Sequence, residues 1–388
     1  MAPVAAGSRH LGGKARQLSG RQRAALGGAA VVVVAGAALT MALSGGAGSR
    51  RPPASAPGTT AAPVVRPSTT TTPKPARTRA RRVVCPLTGM PAPHGRVPDR
   101  PALGVKIGND PASRPQSGLP HADVVYDALS EGGITRYLAI FQCHEAAKVG
   151  PVRSVRWNDW HLLGSYGHPI LAFAGGISYW ERAVAQRRWI FDASAFVWPA
   201  SNAFYRTSSR VPPWNLYTST SRLWAVDKNH TPPRPQFVFS RAVPRPSFRA
   251  SEVTIANFDV GYDGTIPVTW KWDAHAGAWR RFLGRAPDRD ASGVTLQAKN
   301  VIIEFVLTRR GPYAESGTVA DTESITVGAG RAYILRNGRV ESGWWHHRWV
   351  GNVTAYRFPG GQKDMTLAPG NTWVEVVPVR GYPVSFKR

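Results

Sequence analysis

The pattern of apolar and polar residues divides the chain into three parts. Residues 24–44 carry no charge, and an apolar run of about 20 residues matches the hydrocarbon core of a bilayer. Residues 45–82 are rich in Pro, Ala, Thr, Ser and Gly, a composition that buries no core. Shorter strand-like and helix-like patterns follow. The pattern predicts a transmembrane helix at 24–44, a disordered linker at 45–82 and folded domains at 83–243 and 248–388.

The first folded segment mixes strand and helix patterns. Its apolar runs predict four strands, at 102–107, 124–129, 134–141 and 170–174. Gly132 and Gly133 separate two of these runs, which is typical of a two-residue hairpin turn, although a helix over 122–131 is an alternative. Ser154 is the predicted cap of a helix that extends to Tyr166. A second helix is predicted from Ser178, with Glu181 completing a capping box.

The second folded segment alternates apolar and polar residues between turn signals. Asn337-Gly338 predicts a type I′ hairpin turn, and Pro369-Gly370 precedes a predicted strand at 372–377. A central strand is predicted at 301–307, and a Pro-containing stretch at 240–247 marks the boundary between the segments. The fold class is therefore α+β: a mixed α/β N-terminal domain followed by a β-rich C-terminal domain. Seven of the fourteen Trp lie in the second segment, where core packing is the favoured role and a platform for sugars the alternative.

Charge is unevenly distributed along the chain. The net charge is +26, but residues 1–82 contain 13 Lys and Arg and no Asp or Glu. Half of the excess thus lies outside the predicted folded domains, and nucleic acid is not an expected partner. The basic tail at 1–23 precedes the apolar run, so the positive-inside rule keeps it in the cytoplasm. The folded domains are then expected outside a bacterial cytoplasmic membrane. A cleaved signal peptide is the alternative to the uncleaved anchor.

Several sequence blocks resemble those of the YerB-like family of exported bacterial proteins, which has no assigned activity. The blocks are RPALGVKIGN (100–109), RPQSGL (114–119), ADVVYDALSEGGITRYLAIFQ (122–142), GPVRSVR (150–156), AFYRTSSRVPPWNLYTS (203–219), AKNVIIEF (298–305), YILRNGRVESGWW (333–345) and LAPGNTWVEVVP (367–378). The resemblance implies two domains and an extracytoplasmic setting, often reached through a lipid anchor. Trp214 and Asp288 stand where the family pattern leads us to expect His, which puts any site built on those His residues in doubt.

Signatures of several enzyme classes are absent from the sequence. There is no Ser-x-x-Lys, Gly-x-Ser-x-Gly, His-Glu-x-x-His or Walker motif. His346 and His347 are adjacent, so on a strand they point apart and make a poor metal pair. No metal or cofactor is expected. The favoured function is an envelope binding or scaffold protein. The alternative is a wall-acting glycosidase or transferase that uses paired carboxylates, with the candidates Asp123, Asp127, Glu131 and Asp159.

An anion site is predicted in the first domain, for an anionic wall polymer or a lipid-linked precursor. Arginine side chains bind phosphates and carboxylates in a bidentate manner, and a strand–Gly–helix junction presents free N–H groups. The predicted residues are Arg136, Arg153, Arg156, Arg206, Asn109, Asn202, Gly175, Gly176 and Ser178. The alternative assigns structural roles to these residues. A two-residue turn at Gly132-Gly133 would then pair Leu129 with Arg136, and Arg136 would form a salt bridge with Asp127 or Glu131.

The two cysteines of the chain are Cys85 and Cys143. Because the expected compartment is oxidising, a disulfide between them is predicted, which would join the start of the fold to the end of the strand at 134–141. The loop of about sixty residues corresponds to roughly 4 kcal/mol of stabilisation in the chain-entropy estimate. A free, nucleophilic Cys143 beside His144 is the alternative.

Overall fold

The structure is a computed structural model that describes residues 82–243, 245–314 and 320–388. These residues belong to one compact unit. The predicted transmembrane helix and all of the linker before residue 82 lie outside them. In the described ranges, no helix has the length and apolar character that a bilayer crossing requires.

The first segment contributes seven strands and three α-helices in the described ranges. The strands are β1 (Leu103–Gly108), β2 (Val124–Leu129), β3 (Thr135–Phe141), β4 (Ile170–Phe173), β5 (Phe191–Ser194), β6 (Phe204–Arg206) and β7 (Leu216–Thr218). The helices are α1 (Trp157–Leu163), α2 (Ser178–Ala185) and α3 (Thr220–Val226). The predicted strands are therefore present, and the alternative helix over 122–131 is wrong.

The second segment contributes thirteen strands in the described ranges. They are β8 (Phe248–Arg249), β9 (Glu252–Gly261), β10 (Gly264–Asp273), β11 (Ala278–Leu283), β12 (Ala286–Pro287), β13 (Gln297–Ala298), β14 (Asn300–Ala314), β15 (Ala320–Ile325), β16 (Gly328–Arg336), β17 (Arg339–His347), β18 (Ala355–Arg357), β19 (Thr372–Pro378) and β20 (Val384–Lys387). Asn337 and Gly338 both have positive φ between β16 and β17, as a type I′ turn requires. The result is a mixed, sheet-rich α+β fold with few helices.

Strands of both segments share one large sheet. Its order is β18-β17-β16-β14-β19-β2-β3-β1-β4-β5, with β15 paired to β14 and β8 to β17. The join is the parallel pair β2–β19, in which Asp127 lies opposite Glu375. A smaller sheet has the order β12-β11-β10-β9-β20, with β13 paired to β11, and β6 and β7 form a two-stranded ribbon.

Both faces of the large sheet are covered. In β2, Val125 packs into a core with Trp270 and Trp279 of the smaller sheet. Its neighbours Val124 and Tyr126 belong to the other core, together with Trp160 of α1. Side chains alternate between faces along a strand, so each strand of this kind is buried throughout although its residues enter two different cores. This double burial explains why the central strands are continuously apolar in sequence.

Three local predictions need correction. Three residues, Glu131–Gly133, form the turn between β2 and β3, so Leu129 lies opposite Thr135, and Arg136 lies opposite Ala128. Helix α1 is capped at Arg156 rather than at Ser154, because the Asp159 carboxylate accepts the Arg156 backbone N–H at 2.7 Å. Helix α2 begins at Ser178, which is preceded by Ile177, so Ser178 is its first residue and not its cap.

Several further sequence predictions are confirmed. Cys85 and Cys143 form a disulfide with Cα atoms 6.1 Å apart, so the alternative prediction of a free Cys143 is wrong. Four of the seven Trp in the second segment are buried, namely Trp270, Trp279, Trp345 and Trp373. His346 is exposed and His347 is buried, so the two rings point apart.

Candidate functional site

Two groups of charged residues lie inside the fold. The first, the Arg281 network, consists of Arg281, Asp127, Asp259, Asp288, Glu375 and Tyr137. The second, the Glu131 cluster, consists of Glu131, Arg136, Arg156, Lys106, Asp159 and Asp321. The first lies between the two sheets. The second lies on the helix side of the large sheet.

The Arg281 network is sealed from solvent. Arg281 donates to Asp127 at 2.6 Å, to Asp288 at 2.5 Å and to the Tyr137 hydroxyl at 2.9 Å. The Arg281 and Asp127 side chains are fully buried. Burial raises the pKa of both Asp127 and Glu375, and Arg281 only partly offsets that increase. Burial therefore favours the protonated form of this pair of opposed carboxyl groups more than water does. Arg281 belongs to the smaller sheet and Asp127 to the large one, so the network connects the two sheets.

The Glu131 cluster is built around one carboxylate at the β2–β3 turn. Arg156 donates to Glu131 through Nε at 2.8 Å and through Nη2 at 2.7 Å, and Arg136 forms an ion pair with it. Burial alone would raise the pKa of Glu131, but the two guanidinium groups outweigh burial and lower it to about 2. The Glu131 side chain stays 21% exposed, so this cluster reaches the surface.

The remaining members of the Glu131 cluster balance its charge. Buried Lys106 donates to Asp159 at 2.7 Å. Asp321 lies 3.6 Å from the Arg156 guanidinium, and its carboxylate makes no hydrogen bond in the described part of the chain. Burial raises the pKa of Asp321 to about 6, with Arg156 opposing. Three cations thus face three carboxyl groups, and the charges of Arg136 and Arg156 are compensated within the protein.

Arg153 differs from these arginines. Its backbone N–H donates to Lys106 O at 2.9 Å, and its carbonyl accepts the Ala174 N–H at 3.0 Å, so it lies between the ends of β1 and β4. Its guanidinium lies over the Trp214 ring, 5.9 Å from the centroid. Its Nη1 is buried without a hydrogen-bond acceptor among the described residues. Among the described residues, Arg153 is therefore a cation with one buried donor, Nη1, that has no acceptor.

Two predicted glycines lie beside Arg153. The Val155 N–H donates to Gly175 O at 2.9 Å, and Gly176 forms a bridge with Val155. A Cβ on Gly175 would lie 3.3 Å from the ring of Phe196, which is 63% exposed. Ser178 follows and is exposed. We call Arg153, Gly175, Gly176, Phe196 and Trp214 the strand-end site.

The other predicted anion-site residues are engaged elsewhere. Asn109 is buried, and its amide donates to Thr135 at 2.7 Å and to Asp259 at 2.9 Å. Arg206 is exposed and donates to Asn215 at 2.6 Å. Asn202 is also exposed. In the described ranges, Arg206 and Asn202 make no hydrogen bond or ion pair with the arginines of the two sites.

The positions that depart from the family pattern are occupied by bonded side chains. Trp214 donates from Nε1 to Asp110 at 2.7 Å. Asp288 belongs to the Arg281 network. Each of the four predicted carboxylates has a partner other than the remaining three. Asp123 accepts the Gln142 N–H at 2.6 Å and pairs with His144, Asp127 pairs with Arg281, Glu131 with Arg136, and Asp159 with Lys106. In the described ranges, no three His, Cys, Asp or Glu side chains converge to hold a metal ion.

Fold and site together define a sheet-rich protein whose polar site lies at the ends of its central strands. Residues 87–232 match the N-terminal domain, and residues 258–374 the C-terminal domain, of the family described as Protein of unknown function (DUF3048). The chain belongs to this YerB-like family.

One curated relative and one solved structure support this membership. The chain is 27% identical over 308 residues to "Putative lipoprotein YerB" of Bacillus subtilis (strain 168), which covers 77% of this chain and 87% of the relative. A crystal structure of YerB from Bacillus subtilis superposes with a TM-score of 0.66 at 25% identity. It covers 78% of this chain and 99% of the solved one.

Proposed function

We propose that this chain is a membrane-anchored, extracytoplasmic protein that binds an anionic component of the bacterial envelope at the strand-end site. One observation carries the proposal: the Nη1 of Arg153 is buried and lacks an acceptor among the described residues, whereas the charges of Arg136 and Arg156 are compensated. A buried cationic donor without a protein partner is costly, and an anionic ligand would satisfy it. In α/β sheets, ligands bind in the crevice at the carboxyl ends of the strands, which is where Arg153 lies.

The surroundings of Arg153 support a ligand with an apolar part. Phe196 and Trp198 are 63% and 77% exposed on the loop after β5. Exposed aromatic rings of this kind are typical of binding surfaces. The Arg153 guanidinium also lies 5.9 Å from the centroid of the Trp214 ring, within the range of a cation–π contact.

A binding assay with matched variants tests the proposal. The probes are soluble poly(glycerol phosphate) and, in a separate arm, an undecaprenyl diphosphate-linked disaccharide in micelles. We expect salt-dependent binding of at least one probe and an affinity loss of about tenfold in Arg153→Ala, since a charge-assisted hydrogen bond contributes about 1.5–3 kcal/mol. Arg249→Ala, at an exposed position in β8, is the control. Wild-type affinity in Arg153→Ala would remove the basis of the proposal.

The membrane anchor is part of the same proposal and rests on the apolar run at 24–44. The relative YerB carries the word lipoprotein in its name, which supports a membrane-associated setting reached by a different anchor. A periplasmic-type reporter fused after Arg82 should be active outside the membrane. Activity only in the cytoplasm would reverse the topology.

A wall-acting hydrolase is the second candidate. Glu131, with a pKa of about 2, and Asp321, with a pKa of about 6, lie beside the same Arg156 guanidinium. Two carboxyl groups with separated pKa values are typical of acid–base pairs. Asp321 is only 1% exposed, which favours binding over hydrolysis. Release of reducing ends from purified wall by the wild type, but not by Asp321→Asn, would favour the hydrolase.

A further inference from the structure

A cleft at the far end of helix α1 has no role in the strand-end site. Arg156 precedes α1, whereas Gly164 follows it, and seven residues of helix span about 10 Å. The cleft has a volume of about 530 Å³, and its walls include Trp189 and Trp349. That volume falls in the range of about 300–1,000 Å³ that small-molecule sites occupy.

The two walls of the cleft are held at a fixed separation. Arg234 donates from Nε to Ser165 O at 3.1 Å on one wall and from Nη2 to Gly351 O on the other. A Cβ on Gly164 would lie 2.3 Å from Val350, so the two walls are in close contact at these residues. The cleft is therefore preformed.

Trp349 lies in a defined position although it is 58% exposed. A Cβ on Gly351 would lie 1.9 Å from Cζ3 of Trp349, so the indole ring packs directly on the glycine backbone. Trp189 is partly buried and packs against the core behind the cleft. An exposed indole face held in place offers a stacking surface to an apolar ring face.

The charge of the cleft selects the class of ligand. Arg234 is the one charged residue among its described lining residues, and its Nη1 makes no hydrogen bond within the described part of the chain. Sugars stack their C–H faces on indole rings, and a guanidinium binds carboxylates. We propose that this cleft binds a hexopyranose unit that carries a carboxylate, as part of a glycan strand. This inference goes beyond the strand-end site and does not depend on it.

Isothermal titration of the full-length chain in mild detergent tests the cleft. The probes are the disaccharide of N-acetylglucosamine and N-acetylmuramic acid and, as its uncharged counterpart, N,N′-diacetylchitobiose. We expect wild type to bind the acidic disaccharide at least fivefold more tightly. Trp349→Ala should weaken both probes at least tenfold, whereas Trp344→Ala, a 44% exposed indole outside the cleft, should bind as wild type does.

Two arginine variants separate charge from wall spacing. Arg234→Gln should bind both disaccharides equally, and Arg234→Lys should restore part of the preference for the acidic one. Arg249→Ala should leave both affinities unchanged, and Arg234→Gln should bind poly(glycerol phosphate) as the wild type does, so failure of this inference is distinguishable from failure of the strand-end site. Equal binding of both probes by the wild type, or unchanged binding in Trp349→Ala, would overturn the proposal.

Discussion

The Arg281 network and the Glu131 cluster contain similar charged side chains, but the network is buried and the cluster is partly exposed to solvent. In the network, Arg281 and Asp127 are fully buried between the two sheets. In the cluster, Glu131 is 21% exposed at a turn, and the backbone N–H of Arg153 donates to the carbonyl of Lys106, a member of the cluster. Burying an ion pair costs desolvation energy, and removing one partner of a buried pair strongly destabilises the fold because the other charge is left buried without compensation. The comparison indicates that the network connects the sheets, whereas the cluster supports a site at the surface.

The largest expected effect tests the structural role of the buried Arg281 network. Arg281→Met leaves Asp127, Asp288 and Glu375 without their cation, and we expect a loss of about 3–5 kcal/mol in the free energy of unfolding. The control is Arg280→Ala on the same strand, which is 46% exposed and pairs with Asp273. That change should stay within about 1 kcal/mol in urea denaturation. Equal stability of the two variants would contradict the structural role.

A smaller effect is expected at Glu131. Its pKa of about 2 lies below the ordinary value of 4.5, so its contribution is present above pH 4.5 and is lost as pH falls toward 2. Glu131→Gln should lower stability by roughly 2–3 kcal/mol at pH 7. Denaturation as a function of pH measures this loss. A difference between wild type and variant that persists at pH 2 would exclude the two arginines as its cause.

The opposite sign is expected at Asp321. Its folded pKa of about 6 lies above the ordinary value of 3.8, so stability is lost as pH rises from about 4 to 6. Asp321→Asn should therefore stabilise the protein by roughly 1–2 kcal/mol at pH 7 and have no such effect at pH 3. Melting temperatures at the two pH values provide the measurement. Destabilisation at pH 7 would show that the ionised carboxylate is needed.

The smallest effect is expected at Arg153. Because its Nη1 has no acceptor within the described ranges, Arg153→Ala should change the free energy of unfolding by less than about 1 kcal/mol. Arg156→Ala, which removes a partner of Glu131, should lose stability as Glu131→Gln does. Thermal unfolding of the two variants side by side makes the comparison. A large loss of stability in Arg153→Ala would show that this arginine has a structural role.

For the hairpin between β2 and β3, the sequence predicted the positions of the two strands correctly but their pairing register incorrectly. The strands are where their apolar runs predicted them, but the turn contains Glu131 as well as Gly132 and Gly133, which have φ of 61° and 77°. One extra turn residue moves Arg136 opposite Ala128 and therefore onto the face away from Asp127. The predicted ion pair with Glu131 is present, whereas Asp127 pairs with Arg281.

The residues that the sequence analysis missed come from distant parts of the chain. Arg281 lies 154 residues from Asp127, and no local pattern links the two. Asp321 and Glu323 are two residues apart and both are buried in β15. This spacing of two carboxylates on one face of a strand was visible in the sequence. Pairing of β2 with β19 brought Glu375 opposite Asp127, because parallel strands can come from opposite ends of a chain.

By itself, the sequence determined the central strands at 102–107, 124–129, 134–141, 170–174, 301–307 and 372–377, the type I′ turn and the family. It also predicted the disulfide. Apolar periodicity, turn chemistry, sequence blocks and cysteine number are local or compositional properties. Only the tertiary structure decided which charges are compensated. Arg136, Arg153 and Arg156 are equivalent cations in sequence, yet two form ion pairs with Glu131, whereas Nη1 of Arg153 has no acceptor in the part of the chain that the structure describes. The physical reason is that a charge acquires its role from partners within a few ångströms, and folding alone brings those partners together.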